Sequence, residues 1–147
     1  MLNRKFIGQV FDPLVVEIEK GQLKFFAKAT GADDPIYTDE CAAKAAGYRA
    51  LPAPPTFGFT LGLAKADPFD LYTKIGVDMT KALHGEQQFE YLEPICAGDT
   101  ITLQDKVANI FEKKGGALEF VTIRTSAKNQ NNTLVAKMVR TIVVRNA

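Results

Sequence analysis

Residues 51–64 read LPAPPTFGFTLGLA, a proline-rich segment followed by an uncharged stretch from Thr56 to Ala64. Pro55 suits the first position of a helix, because the N–H that proline lacks would have no partner there. The sequence therefore predicts a helix over 56–64 that is apolar on every side and must be buried all round. Gly58 and Gly62 lie one turn apart on one face of it, where the absence of a side chain lets another backbone or a slender ligand approach closely.

Beyond this helix, alternating hydrophobicity predicts a meander of strands separated by turns. The predicted strands cover residues 87–92, 100–111, 117–125 and 133–145. Thirteen residues at about 3.3 Å each span roughly 40 Å, which is long enough for a strand to curl around a helix. Burial of one helix by one sheet requires the sheet to wrap it, with a partner or another layer closing the open side.

The N-terminal third predicts one strand and two helices. Residues 8–18 favour a short edge strand, because Asp12-Pro13 interrupts them. Residues 19–30 show helical spacing and end at Gly31, and a second helix is expected over about 39–46 with Thr38 as its cap. Residues 69–81 are expected to be irregular. The chain is thus interpreted as a single α+β domain spanning residues 1–147.

Composition excludes several classes of function. A net charge of +1 gives no uniform field for binding nucleic acid. No secretory signal or run of membrane-spanning length is present, and Cys41 and Cys96 are expected to be free thiols, which together favour a cytoplasmic location with no membrane association. A single histidine and two distant cysteines do not make a zinc site, and no phosphate-binding loop or G-x-S-x-G motif occurs. No metal or redox cofactor is expected.

Four runs of sequence occur in an order typical of one family. They are FAKATGADDPIYTDECAA at 26–43, GYRALPAPPTF at 47–57, HGEQQFEY at 84–91 and PICAGD at 94–99. Together they resemble the MaoC-like hot-dog dehydratases. The resemblance is closer to the N-terminal-type domains of that family and to the non-catalytic subunits of mycobacterial-type hydroxyacyl-thioester dehydratases. It implies a hot-dog fold, in which an antiparallel sheet wraps around a central apolar helix.

The resemblance also implies an activity, namely reversible addition of water to an enoyl thioester of coenzyme A or acyl carrier protein. Active members carry G-D-x-N-P-x-H, in which the Asp and His transfer protons. Aligned on Gly31 and Pro35, the Asp position is Ala32 and the His position is Tyr37. Alanine transfers no proton, and a phenol with a reference pKa of about 10 is a poor base near neutrality. The resemblance therefore leaves this chain without the usual catalytic pair.

The predicted substrate-binding residues surround the start of the apolar helix: Pro55, Thr56, Phe57, Gly58 and Gly62. Free amides near Thr56, Phe57 and Gly58 can stabilise an enolate oxygen without any particular side chain. Alternatively, Pro55 and Gly58 only serve packing. The glycine face likewise fits either an acyl chain or pantetheine arm, or ordinary close packing.

Other residues are weaker catalytic candidates. On a regular strand His84 and Glu86 would point to one face and so replace the missing pair, although His84 can equally bond to backbone and order the loop before the strand. Asp33 or Asp34 would provide an acid if the turn shifted by a residue, but both also suit a turn beside a helix. Tyr37 is expected to form a pocket wall.

These observations predict a subunit of an acyl-thioester hydratase-dehydratase that holds substrate and pairs with a catalytic MaoC-like chain. The alternatives are a self-sufficient homodimeric hydratase or hot-dog thioesterase, and a non-enzymatic acyl-binding protein. The sequence does not distinguish coenzyme A from acyl carrier protein, or a homodimer from a heterodimer.

Overall fold

The computed structural model describes residues 2–146, which form a five-stranded antiparallel sheet and four short α-helices. The strands are β1 Leu14–Glu17, β2 Ala82–Tyr91, β3 Thr100–Lys113, β4 Leu118–Lys128 and β5 Leu134–Arg145. The α-helices are α1 Lys20–Thr30, α2 Glu40–Ala45, α3 Gly58–Leu61 and α4 Asp70–Lys74. No helix within residues 2–146 is long and apolar enough to cross a membrane.

The sheet order is β1-β3-β4-β5-β2, so the three longest strands are central and β1 and β2 are the edges. The prediction of an N-terminal edge strand is confirmed. Alternate residues of β4, and of β3 as far as Val107, are buried on what we call the inner face, and the intervening residues point to the outer face; a bulge at Ala108 shifts the alternation in β3. The observed ends of β3, β4 and β5 lie within three residues of their predicted ends, whereas β2 begins five residues before its predicted start.

The apolar segment is shorter and more exposed than predicted. The α-helix covers Gly58–Leu61 and continues as a 3₁₀ turn over Gly62–Ala64. Phe57 and Leu61 are only 3% exposed, whereas Phe59 and Leu63 are 43% and 51% exposed. The inner face of the sheet packs around one side of the segment. The other side of the segment faces an open cavity. Burial all round is therefore wrong for this chain by itself, although the central position against the sheet is confirmed.

Two smaller predictions are also wrong. Residues 69–81 are not irregular throughout, because α4 packs Leu71 and Tyr72 into the core and Lys74 forms an ion pair with Asp70 at 2.7 Å. Five residues are too few to show a helical period. The cap of α2 is Asp39 rather than Thr38, since the Asp39 carboxylate accepts a hydrogen bond from the Cys41 amide at 2.7 Å. The predicted helix stop is confirmed by the left-handed φ of 68° at Gly31.

Candidate functional site

Two cavities flank the apolar segment. The first, about 330 Å³, is called the motif cavity here and is lined among others by Tyr37, Tyr48, Pro55 and Tyr91. The second, about 260 Å³, is called the apolar cavity and runs along Gly58 and Gly62. The positions of the two cavities follow from the path of the chain. The apolar segment follows the extended residues 51–55, crosses the inner face of the sheet, and continues toward α4.

The turn that holds the altered motif has a defined structure. The Asp34 carboxylate accepts a hydrogen bond from the Ile36 amide at 3.0 Å and so caps the 3₁₀ turn Pro35–Tyr37. Asp33 and Asp34 are exposed, and the interpretation of Asp34 as part of a helix-flanking turn agrees with this geometry. Ala32 is half-buried and offers no ionisable group. The turn therefore presents no acid directed at the motif cavity.

Tyr37 lines the motif cavity as a neutral phenol. Burial raises its pKa above the ordinary value, and the nearby Tyr48 and Asp34 raise it further. Since the ordinary phenol pKa is already about 10, Tyr37 keeps its proton at neutral pH and is a poor general base. The expected pocket-wall position is what the structure shows.

Tyr91 closes the N-terminal end of α3. Its hydroxyl group donates a hydrogen bond to the Pro55 carbonyl oxygen and lies beside Gly58. Desolvation raises the pKa of Tyr91 to about 12, with the Gly58 amide acting in the opposite direction. The Phe57 amide donates to the Pro54 carbonyl oxygen at 2.9 Å. One of the three amides predicted to bind an enolate oxygen, that of Phe57, thus has a partner within the chain.

The two glycines of the apolar segment have different environments. A Cβ at Gly58 would lie 2.9 Å from the Met138 sulfur and 3.3 Å from the Tyr91 hydroxyl oxygen, so Gly58 permits close packing. A Cβ at Gly62 would meet no atom within 4 Å. Gly62 therefore faces open space in the apolar cavity, and the packing alternative applies to Gly58 alone.

A buried polar network forms part of the wall of the apolar cavity, and the sequence analysis missed it. Asp105 on β3, Thr125 on β4 and Arg140 on β5 all point to the inner face. The Asp105 carboxylate accepts from the Thr125 hydroxyl at 2.5 Å and from Arg140 Nη2 at 3.0 Å. Arg140 Nε donates to the Tyr72 hydroxyl oxygen at 2.6 Å, and Lys65 Nζ lies 3.5 Å from Asp105.

The charged groups of this network keep one another ionised. Burial alone would raise the pKa of Asp105, but the charge of Arg140 and the hydrogen bonds from Thr125 and Arg140 hold that pKa below its usual range. Asp105 is only 8% exposed and stays ionised at neutral pH. A signal for it exists in the sequence, because Asp105 occupies the inward position between Leu103 and Val107, where an apolar residue is expected.

His84 and Glu86 do not lie on one face, so that prediction is wrong. The pairing of β2 with β5 shifts register between them, and Gly85 is the extra residue of this β-bulge. His84 pairs with the inward-facing Ile142, whereas Glu86 pairs with Thr141 on the outer face. The His84 ring packs edge-on against Phe59, with centroids 5.3 Å apart, at the rim of the apolar cavity. The two side chains therefore cannot act as a pair in one site.

The run at 94–99 serves the fold. Asp99 is 2% exposed and accepts hydrogen bonds from Arg49, from the Cys96 amide at 2.8 Å and from Gln130 at 3.1 Å. Cys96 is buried, which raises the pKa of its thiol, and Cys41 is exposed. Within residues 2–146 no cluster of three His, Cys, Asp or Glu side chains is placed to hold a metal ion.

The fold and the cavities define a hot-dog domain of the MaoC-like dehydratase type. The FAS1-like, dehydratase domain region family model matches residues 5–138, and the chain belongs to this family. It is 31% identical to a UPF0336 protein of Streptomyces avermitilis over 147 residues, covering 99% of this chain and 97% of that protein. A UPF0336 protein of Clavibacter michiganensis is 34% identical, with 98% and 96% covered.

Solved structures agree with this assignment. A chain of the C-terminally truncated HadBC (3R-hydroxyacyl-ACP dehydratase) complex from Mycobacterium tuberculosis superposes with a TM-score of 0.81 at 27% identity, with 94% of this chain and 96% of that chain covered. A MaoC-like dehydratase gives a TM-score of 0.85 at 23% identity, and 97% of this chain matches 43% of that longer chain. The ChsH1–ChsH2 complex of Mycobacterium tuberculosis gives 0.73 at 20% identity, with 93% and 84% covered. The predicted family and hot-dog fold are confirmed.

Proposed function

We propose that this chain is the substrate-holding subunit of an acyl-thioester hydratase-dehydratase and does not supply the acid–base pair. The observation that carries the proposal is an apolar cavity beside Gly62 in a chain whose motif positions are Ala32 and Tyr37. Apolar concave sites with few polar groups suit acyl chains. Hydration of a double bond also needs groups that transfer protons, and at the two motif positions this chain has a neutral phenol, Tyr37, and a methyl group, Ala32.

The closed N-terminal end of α3 also supports a subunit that holds substrate and does not carry out the chemistry. Stabilising an enolate oxygen needs hydrogen-bond donors that are free when charge develops. The Tyr91 hydroxyl, bonded to the Pro55 carbonyl oxygen, lies beside Gly58, and the Phe57 amide donates to the Pro54 carbonyl oxygen. An enolate in the motif cavity of this chain would have to displace Tyr91 first, so we assign the chemistry to a partner chain.

The edge strand β2 suits assembly with that partner. β2 has ten residues and, within residues 2–146, no neighbour on its outer side. Leu83 on β2 and Phe59 and Leu63 beside it are 53%, 43% and 51% exposed. An exposed strand edge with adjacent apolar side chains favours pairing with another chain. The HadBC and ChsH1–ChsH2 structures are complexes, so we assign this edge to a catalytic MaoC-like subunit that acts on coenzyme A or acyl carrier protein thioesters.

The test is an assay of the hydration of crotonyl-coenzyme A and longer enoyl thioesters, in which loss of the enoyl absorbance measures the reaction. We expect no turnover by the purified chain and turnover after addition of a dehydratase-like chain bearing G-D-x-N-P-x-H that co-purifies with it from cells. Robust turnover by the chain alone would overturn the proposal. In that event a His84→Ala variant, assayed alongside, identifies whether His84 carries the reaction.

A further inference from the structure

The polar network interrupts the apolar cavity at one wall. Asp105 and Thr125 are opposite each other on β3 and β4, and Arg140 lies diagonally across on β5. All three line the cavity together with Tyr72 and Lys65. The rim, by contrast, carries Phe59, Leu63, Phe69, Met79 and Leu83. A chain entering past the rim therefore runs along apolar side chains before it meets charged groups.

Contact with the network is unfavourable for hydrocarbon. A methylene group gains affinity by leaving water for apolar surroundings, but it offers no hydrogen bond to a charged group. The side chains of Arg140 and Lys65 are still 19% and 26% exposed, so a hydrocarbon chain laid over them would remove their remaining water without replacing it. The existing hydrogen bonds of Asp105 keep the network ionised and in place.

We infer that the Asp105–Arg140 network is a specificity determinant that ends the acyl-binding cavity and restricts it to short acyl groups. This inference rests on the proposed function. The cavity volume of about 260 Å³ agrees with it, because small-molecule pockets usually measure about 300–1,000 Å³. Thr125, Tyr72 and Lys65 act as positioning residues that hold the ion pair.

The first test uses the full-length wild-type chain and saturated acyl-coenzyme A thioesters from butyryl to dodecanoyl in isothermal titration calorimetry. Each added methylene in an apolar environment is expected to lower the Kd about fourfold. We expect that gain up to a short chain length and none, or a loss, beyond it. Affinity that keeps rising through dodecanoyl would overturn the inference.

The second test removes the ion pair as a unit in an Asp105→Leu/Arg140→Met variant. Replacing both charges avoids leaving one of them buried without its partner. Dodecanoyl-coenzyme A is expected to bind at least tenfold more tightly than to the wild type, and butyryl-coenzyme A within about twofold, from the methylene increment above. The matched control is Arg124→Met, which removes a cation from the outer face of β4 and should leave the chain-length profile unchanged.

The outcomes separate the two proposals. An unchanged chain-length profile in a double variant with wild-type circular dichroism would overturn the inference alone. Failure of every thioester to bind the wild type would overturn the substrate-holding function, and the inference with it. If the double variant does not fold, the wild-type series decides the question. The inference predicts that the gain in affinity stops at a short chain length, whereas an uninterrupted cavity would show no such limit.

Discussion

The Tyr91 hydroxyl group donates a hydrogen bond to the Pro55 carbonyl oxygen, thirty-six positions earlier in the chain. This contact joins the edge strand β2 to the segment that leads into α3. The same hydroxyl lies beside Gly58, so Tyr91 also covers the N-terminal end of α3. One side chain therefore bears both on the stability of the domain and on its proposed role as a substrate-holding subunit.

Tyr91→Phe should destabilise the chain by about 1 kcal/mol, the usual net contribution of one intramolecular hydrogen bond. Its pH dependence is more specific. The folded pKa of about 12 lies above the ordinary phenol value of about 10, so wild-type stability should fall between those pH values, where only the unfolded chain loses the proton. Urea unfolding at pH 8 and at pH 11 measures this. An equal alkaline decline in Tyr91→Phe would contradict the assignment.

Gly85→Ala should destabilise the chain by roughly 1–3 kcal/mol, the cost of forcing an extra carbon into a packed site. A Cβ there would lie 2.7 Å from a Val143 methyl carbon and 3.2 Å from the Thr141 carbonyl oxygen, so the bulge in β2 requires glycine. The matched control is Gly62→Ala, whose Cβ meets open space and which should be neutral or slightly stabilising in thermal unfolding. Equal melting temperatures for the two variants would show that the bulge tolerates a side chain.

The bulge at Gly85 is a feature of β2 that strand alternation did not predict. Strand alternation predicts the central strands and their turns well, because each has a long buried face whose period is visible in the residues. The same rule fails across Gly85, because one extra residue moves Glu86 to the outer face. Gly85 itself is a signal, because a glycine inside a strand pattern suggests a bulge, and the pairing proposed for His84 assumed a regular strand.

The candidate site was predicted unevenly for physical reasons. The glycine-bearing segment and the altered motif could be located, because proline, glycine and missing ionisable groups are local features of the sequence. The Asp105–Arg140 network was missed because its members come from three strands and a helix, and its hydrogen bonds join residues 15 to 68 positions apart in the chain. The closure by Tyr91 was missed for the same reason, since it joins β2 to a proline on another element.

Asp99→Asn should cost about 1–3 kcal/mol near neutral pH, because a buried hydrogen-bond acceptor for Arg49, Gln130 and the Cys96 amide loses its charge. Burial alone would raise the pKa of Asp99, but Arg49 and the other donors hold it below the usual value. Because the folded pKa is lowered, this stabilisation is present above about pH 4 and is lost as the pH falls through the folded pKa.

Urea unfolding at pH 7 and at pH 3 should therefore show a gap between wild type and Asp99→Asn that narrows at the lower pH. Asp33→Asn is the control, since Asp33 is exposed and its substitution should change stability by less than roughly 0.5 kcal/mol. A gap that stays constant with pH would mean that the charge of Asp99 contributes nothing beyond its shape.

Gly62→Leu should fill the apolar cavity and weaken binding of butyryl-coenzyme A by at least about tenfold, since the new side chain occupies the space in which we place the acyl group. The backbone at Gly62 has an ordinary helical φ of −65°, so leucine introduces no backbone strain. The control is Gly21→Leu, an exposed helical glycine that also faces open space but lies outside the cavity lining. Calorimetric titration of both variants, each checked by thermal unfolding, measures the difference. Wild-type affinity in Gly62→Leu would place the acyl group elsewhere on the chain, whereas a loss in both variants would indicate a general effect of leucine and not a filled cavity.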